Sequence, residues 1–165
     1  MKRTINPVTL HRLDTQGFDC VAEADLAEIA PWLRLAYGFC AGIALVGTAL
    51  ASTLVLGVLA VIAALAALFP VHPFDMVYNL GIRHLTGTGP LPRRGIPARF
   101  ACGMGSAWLV ATIGAFQSGL PVLGYVLGFA LTSVALLVST TDICIPSVLF
   151  RLVAGPAKPR VRAGA

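Results

Sequence analysis

Residues 35–69 read LAYGFCAGIALVGTALASTLVLGVLAVIAALAALF, and no Asp, Glu, Lys or Arg interrupts them. The uncharged run extends from Arg34 to Asp75, and a second one lies between Arg99 and Asp142. Each run is roughly twice the ~20 apolar residues that one helical crossing of a bilayer requires. Backbone in hydrocarbon must satisfy its own N–H and C=O groups, so an apolar run of this kind folds as helix. Each run therefore predicts a helical hairpin. Together they predict an all-α membrane protein with four transmembrane helices arranged as two hairpins.

Polar breaks and prolines divide the runs. Pro31 and Trp32 mark the start of a first crossing over about 32–51, with Trp32 and Tyr37 suited to an interfacial aromatic belt. Ser52 and Thr53 separate it from a second crossing over about 54–70, which ends at Pro70. Gln117-Ser-Gly-Leu-Pro121 is a turn by composition and parts a third crossing (100–117) from a fourth (121–141). Proline suits the first turn of a helix, where an N–H would have no partner. Pro73 and Pro146 thus predict short interfacial helices after crossings two and four, with Phe74, Val77 and Tyr78, or Val148, Leu149 and Phe150, turned toward lipid. The two halves resemble one another in this layout, as a weak internal duplication would.

The chain divides into an amphiphilic arm (1–30) with a short surface helix from Glu23 to Ala30, a four-helix domain (31–153) and a basic, disordered tail (154–165). With 57% hydrophobic and 12% charged residues among 165, and a mean hydropathy of +0.84, no second, soluble catalytic domain fits beside four crossings. All twelve Lys and Arg fall in the arm, the middle loop, the tail or the adjoining helix ends, and neither hairpin tip carries one. The positive-inside bias then predicts a multi-pass protein of a bacterial plasma (inner) membrane with both termini cytoplasmic. The expected partners are the lipid bilayer and a protein partner or second copy. No nucleic-acid or phosphate-binding motif is present.

Small-xxx-small spacings at Gly38/Gly42 and Gly124/Gly128 let helix backbones approach closely, and more often pack a bundle internally than join two chains. Four-crossing topology also gathers reactive side chains at one rim: His72, Asp75, Cys102, Asp142 and Cys144, with Cys40 about a turn and a half inside. Imidazole, thiolate and carboxylate could ligate a transition metal or form a thiol-redox site. There is no CxxC or HExxH, no cofactor is expected, and the cysteines also read as small packing residues. Asp75 fits the first turn of its helix, where a carboxylate meets the positive dipole end. Asp142 is costly near membrane depth and calls for a partner, for which Arg34, Arg99 and His72 are the candidates. The acidic face of 23–30 is offered Arg83, Arg93 or Arg94 of the middle loop.

His72-Pro-Phe-Asp75 with Tyr78-Asn79, Arg99-Phe-Ala-Cys102, and Asp142 with Cys144-Ile-Pro-Ser147 resemble the motifs of a family of small bacterial integral membrane proteins of unknown function. The resemblance spans about residues 30–150. It implies a four-helix membrane domain and brings no catalytic residue, substrate or cofactor. The reading that follows is an accessory, assembly or structural subunit of a membrane complex. Its rivals are a cytoplasm-facing thiol or metal site and an oligomeric small-solute permease, the latter opposed by helix centres without ionisable residues.

Overall fold

The structure, a computed structural model, describes residues 5–155, so the expectation for the basic tail falls almost wholly outside it. The described residues are helical, with no strand among them. In chain order the elements are α1 (Pro7–Thr15), α2 (Glu23–Ala49), α3 (Thr53–Leu68), α4 (Pro73–Val77), a π-helical turn (Tyr78–Ile82), α5 (Arg83–Thr86), α6 (Ile96–Gln117), α7 (Pro121–Thr141) and α8 (Ile145–Ala154). Helices α1, α4, α6, α7 and α8 carry proline in their first turn, where its missing N–H costs no intrahelical bond. Asn6 and Ser52 cap α1 and α3 by accepting the N–H of Val8 (2.9 Å) and Val55 (3.4 Å).

Helices α2, α6 and α7 are each long and apolar enough to cross a membrane. Helix α3, at 16 residues, is about 24 Å long and falls short of the ~30 Å hydrocarbon thickness. It makes a fourth crossing only when joined to α4–α5, which continue it after an 84° bend. In the most apolar stretch of α2, 33% of residues are buried, and in α6 and α7 only 22%. Leu54, Val61, Val110 and Val126 therefore point away from the protein. Helices so apolar on their outward sides are built for an apolar surrounding.

Hairpin α2/α3 meets hairpin α6/α7 through two main interfaces, α3 on α6 and α2 on α7. Their central layer is built from Ala44, Leu56, Leu59, Ala60 and Leu109. A second layer, of larger residues, gathers Leu13, Phe18, Leu26, Ile29, Leu33, Tyr78 and Leu91 at the α1 end of the bundle.

Three expectations change here. Tyr78 is not turned toward lipid but fully buried, its ring 5.1 Å from that of Trp32. Glu23–Ala30 is not a separate surface helix but the first turns of α2, which runs through Pro31. Leu26, Ile29, Ala30, Leu33 and Ala36 form one buried stripe at helical spacing on both sides of the proline. Burying that stripe with Leu13, Phe18, Tyr78 and Leu91 outweighs the hydrogen bond that Pro31 cannot donate. The small-residue pairs also part company. Gly38 and Gly42 have open space around them, and a Cβ at either would touch nothing within 4 Å. In α7, a Cβ at Gly124 would lie 2.7 Å from the Phe116 ring, and one at Gly128 would overlap Thr48 of α2. The glycine of α2 with a close neighbour is Gly47, where a Cβ would lie 2.9 Å from Leu56.

Gly128→Ala should therefore destabilise the bundle by about 1–3 kcal/mol through overpacking, while Gly42→Ala should stabilise α2 by roughly 0.5–1 kcal/mol. Unfolding midpoints in mixed detergent measure both, and equal effects of the two substitutions would refute this packing assignment.

Candidate functional site

At the α1 end of the bundle the sequence places two carboxylates and surrounds them with arginines. Asp75, in the first turn of α4, is fully buried. Arg94, in the extended stretch before α6, donates to it twice, from Nε (2.6 Å) and Nη2 (2.8 Å). Both side chains are at most 3% exposed, so this is a bidentate pair withdrawn from water. The Arg94 guanidinium also lies over the Tyr37 ring of α2, 4.9 Å from its centroid. The backbone follows: Arg94 N donates to Pro70 O (2.8 Å). Gly95 reaches this position because it lacks a Cβ, which would stand 2.8 Å from Gly17 Cα, and Gly17 itself has φ +95°.

Residues 87–91 are tied down as well. Asn79 Oδ1 accepts from Leu91 N (2.8 Å), Glu28 accepts from Gly89 N (3.1 Å), and the Tyr78 hydroxyl bonds to Thr88. Gly87 and Pro90 stay exposed, and within this stretch Leu91 is the buried residue. Glu28 meets a backbone N–H rather than any of the arginines offered to it.

Asp142 ends α7 in a left-handed conformation, φ +60°, a C-cap geometry usually taken by Gly or Asn. Its carboxylate accepts from Arg34 Nε (2.8 Å) and Nη2, so Arg34 is its partner. Its carbonyl accepts from Gln16 Nε2 (2.8 Å), and the neighbouring Thr141 carbonyl accepts from Arg12 Nη1 (2.7 Å). Tyr37 joins the two centres: its ring carries Arg94, and its hydroxyl donates to Gln16 Oε1 (3.3 Å). Arg99 has another task. It donates to the last carbonyls of α3, Ala67 (3.0 Å) and Leu68 (2.7 Å). Both α3 and α7 thus have C-terminal carbonyls satisfied by arginines from elsewhere in the chain, where the helix dipole favours a cation.

His72 is likewise not a partner of Asp142. Its Nδ1 accepts the N–H of Phe74 (3.2 Å) and caps α4. Burial, with the nearby Arg94 charge, holds its pKa down at about 3, consistent with a ring that must stay neutral to accept this bond. Cys102 and Cys144 are buried, and burial pushes the Cys144 thiol above its ordinary range, away from the reactive thiolate. Cys20, on the link between α1 and α2, is the exposed cysteine among the described residues.

The structure thus pairs Asp75 with Arg94 and Asp142 with Arg34, with His72, Cys102 and Cys144 buried. Among the described residues no three His, Cys, Asp or Glu side chains converge as metal ligands would. Sequence reasoning offered Arg94 only to the acidic face of 23–30 and missed its pairing with Asp75. Its available signal was Gly95: a glycine between the Arg93-Arg94 pair and the start of a helix suits a backbone forced into close contact.

Residues 30–154 match the model of a family described as a domain of unknown function, DUF4395. The chain belongs to that family. No curated protein and no solved structure matches it significantly. Both carboxylates and Arg34, Arg94 and Arg99 fall inside the matched region, whereas Arg12 and Gln16, which close the end of α7, lie before it.

Removing one member of the buried pair, by Asp75→Val or Arg94→Met, should cost about 3–5 kcal/mol, and the double variant far less than the sum. The corresponding loss in Arg34→Met should be smaller, because that side chain is 37% exposed. Strict additivity in the Asp75/Arg94 cycle would rule out the pair. For His72, an unfolded imidazole takes its proton near pH 6.5 and the folded one only near 3. Stability should fall as pH drops through that window, and His72→Asn should flatten the dependence while keeping a capping acceptor. An unchanged slope in His72→Asn would show that other groups cause it.

Proposed function

We propose that this is a four-crossing integral membrane protein of a bacterial plasma membrane, with both termini in the cytoplasm, and that it acts as an accessory, assembly or structural subunit of a larger membrane complex. One observation carries the reading. Each buried carboxylate is neutralised by an arginine of the same chain, while the apolar surface is left facing outward. The two buried carboxylates are used up in holding the bundle together, and the outward surface of the long helices is hydrophobic. The charge distribution supports the orientation, since the arginine-capped ends of α3 and α7 lie beside Arg12, Arg34, Arg94 and Arg151.

The thiol-redox alternative is weakened by the burial of Cys102 and Cys144, which pushes the Cys144 thiol away from thiolate. The permease alternative lacks an ionisable group in the middle of any span.

Two measurements test the proposal. Reporter fusions after residue 93 and at either terminus should all report the cytoplasmic side, and a fusion at Gly119 the opposite one. Purification in mild detergent after cross-linking should recover the chain with a second polypeptide or a second copy. A solitary monomer under both conditions would overturn the subunit reading, and a split between Arg93 and the termini would overturn the topology.

A further inference from the structure

A groove of about 510 Å³ opens between α1 and the α7–α8 corner. Its apolar wall is formed by Ile143, Val148 and Leu152, and His11, Arg12 and Arg151 supply its basic side. The remaining charged residue in its lining, Asp142, is neutralised by Arg34.

The two arginines are positioned in advance. Arg12 is held by one bond, from Nη1 to Thr141 O (2.7 Å). Arg151 donates to the carbonyls of Thr15 (3.2 Å) and Asp14 (3.1 Å), with the Asp19 carboxylate 3.7 Å away. A guanidinium has five N–H donors, so both side chains keep donors beyond those bonds, and each is fixed where it lines the groove. Helix α8 is amphipathic: Ser147 is buried and bonds Pro97 O (3.2 Å), while Val148, Leu152 and Val153 are exposed. The groove's apolar wall is thus continuous with the outward apolar face of α8. Its volume is that of a small-molecule site. From Gly155, which also lines it, the sequence continues with Lys158, Arg160 and Arg162.

We infer that this groove binds an anionic phospholipid, the phosphate against Arg12 and Arg151 and the upper acyl chain along Ile143, Val148 and Leu152. The inference rests on the membrane reading above, because it needs α8 at the lipid–water interface. Charge complementarity favours an anionic headgroup, and the continuous apolar wall favours an acyl chain over a soluble phosphate. Arg12 lies outside the family match, so this is a feature of the whole chain rather than of the matched region alone.

The test reconstitutes the full chain into vesicles of equal parts phosphatidylglycerol and phosphatidylcholine and counts the lipids retained by native mass spectrometry. Phosphatidylglycerol should be retained on the order of tenfold over phosphatidylcholine. Arg12→Gln should bring the ratio close to one. Because that substitution also removes a cap on α7, Leu152→Asp is the second variant: it changes an outward side chain, and should lower the ratio by charge repulsion while leaving the unfolding midpoint in place. Millimolar glycerol 3-phosphate should not compete; if it abolished the preference, the site would be one for soluble phosphate and the lipid proposal would fall. A chain that enters the vesicles but shows no preference, or the same preference in both variants, overturns the lipid proposal alone. A chain that does not enter them overturns the membrane reading as well.

Discussion

A carboxylate that is 2% exposed cannot stay charged without a partner, and Asp75 finds its partner in Arg94. Desolvating both groups is expensive, so the pair is tolerated only with good geometry and further contacts. The structure supplies these: two parallel N–H bonds, and the ring of Tyr37 beneath the guanidinium. The consequence reaches beyond the pair. Arg94 can reach Asp75 only if the 87–95 connection folds inward, and that in turn requires Gly17 and Gly95 to lie against each other. The N-terminal helix is thereby built into the same unit as the bundle, since Gly17 follows α1 directly. Leu13, Gln16 and Phe18 are buried as a result.

The second pair, Asp142 with Arg34, works differently. It lies between the end of α7 and a side chain that is partly open to solvent, and it is reinforced by backbone caps from Arg12 and Gln16. Arg99 provides the parallel service at α3. The end of a helix leaves four carbonyls without intrahelical partners. Arginines reaching across from neighbouring segments answer that need while keeping their charge near water. Cys102 and Cys144, both buried, play no part in these bonds.

Much of this was legible from one dimension. Charge-free runs and prolines located α3, α6, α7 and the short helices after α3 and α7 to within a few residues, because apolar length and the missing proline N–H act locally. Arg34 was among three cations at the right depth to meet Asp142. Other features depend on what lies opposite, and the sequence alone carries no such information. Asp75 was fully accounted for by a helix dipole, so nothing demanded a distant arginine. Gly38 and Gly42 have the same spacing as Gly124 and Gly128, but only the latter pair faces neighbours that forbid a side chain. Pro31 looked like a boundary, and only the buried stripe continuing past it shows why the helix does not stop.

The π-helical turn at Tyr78–Ile82 is formally a helix with one residue too many. That surplus lets adjacent residues serve the same connection: Tyr78 reaches Thr88, and Asn79 reaches Leu91. Deleting a single residue between 78 and 82 would relax the turn to ordinary α-helix and swing one of these side chains out of reach. Length here and length in the 87–95 connection are therefore coupled, and among family members an insertion or deletion in one should be matched by a compensating change in the other.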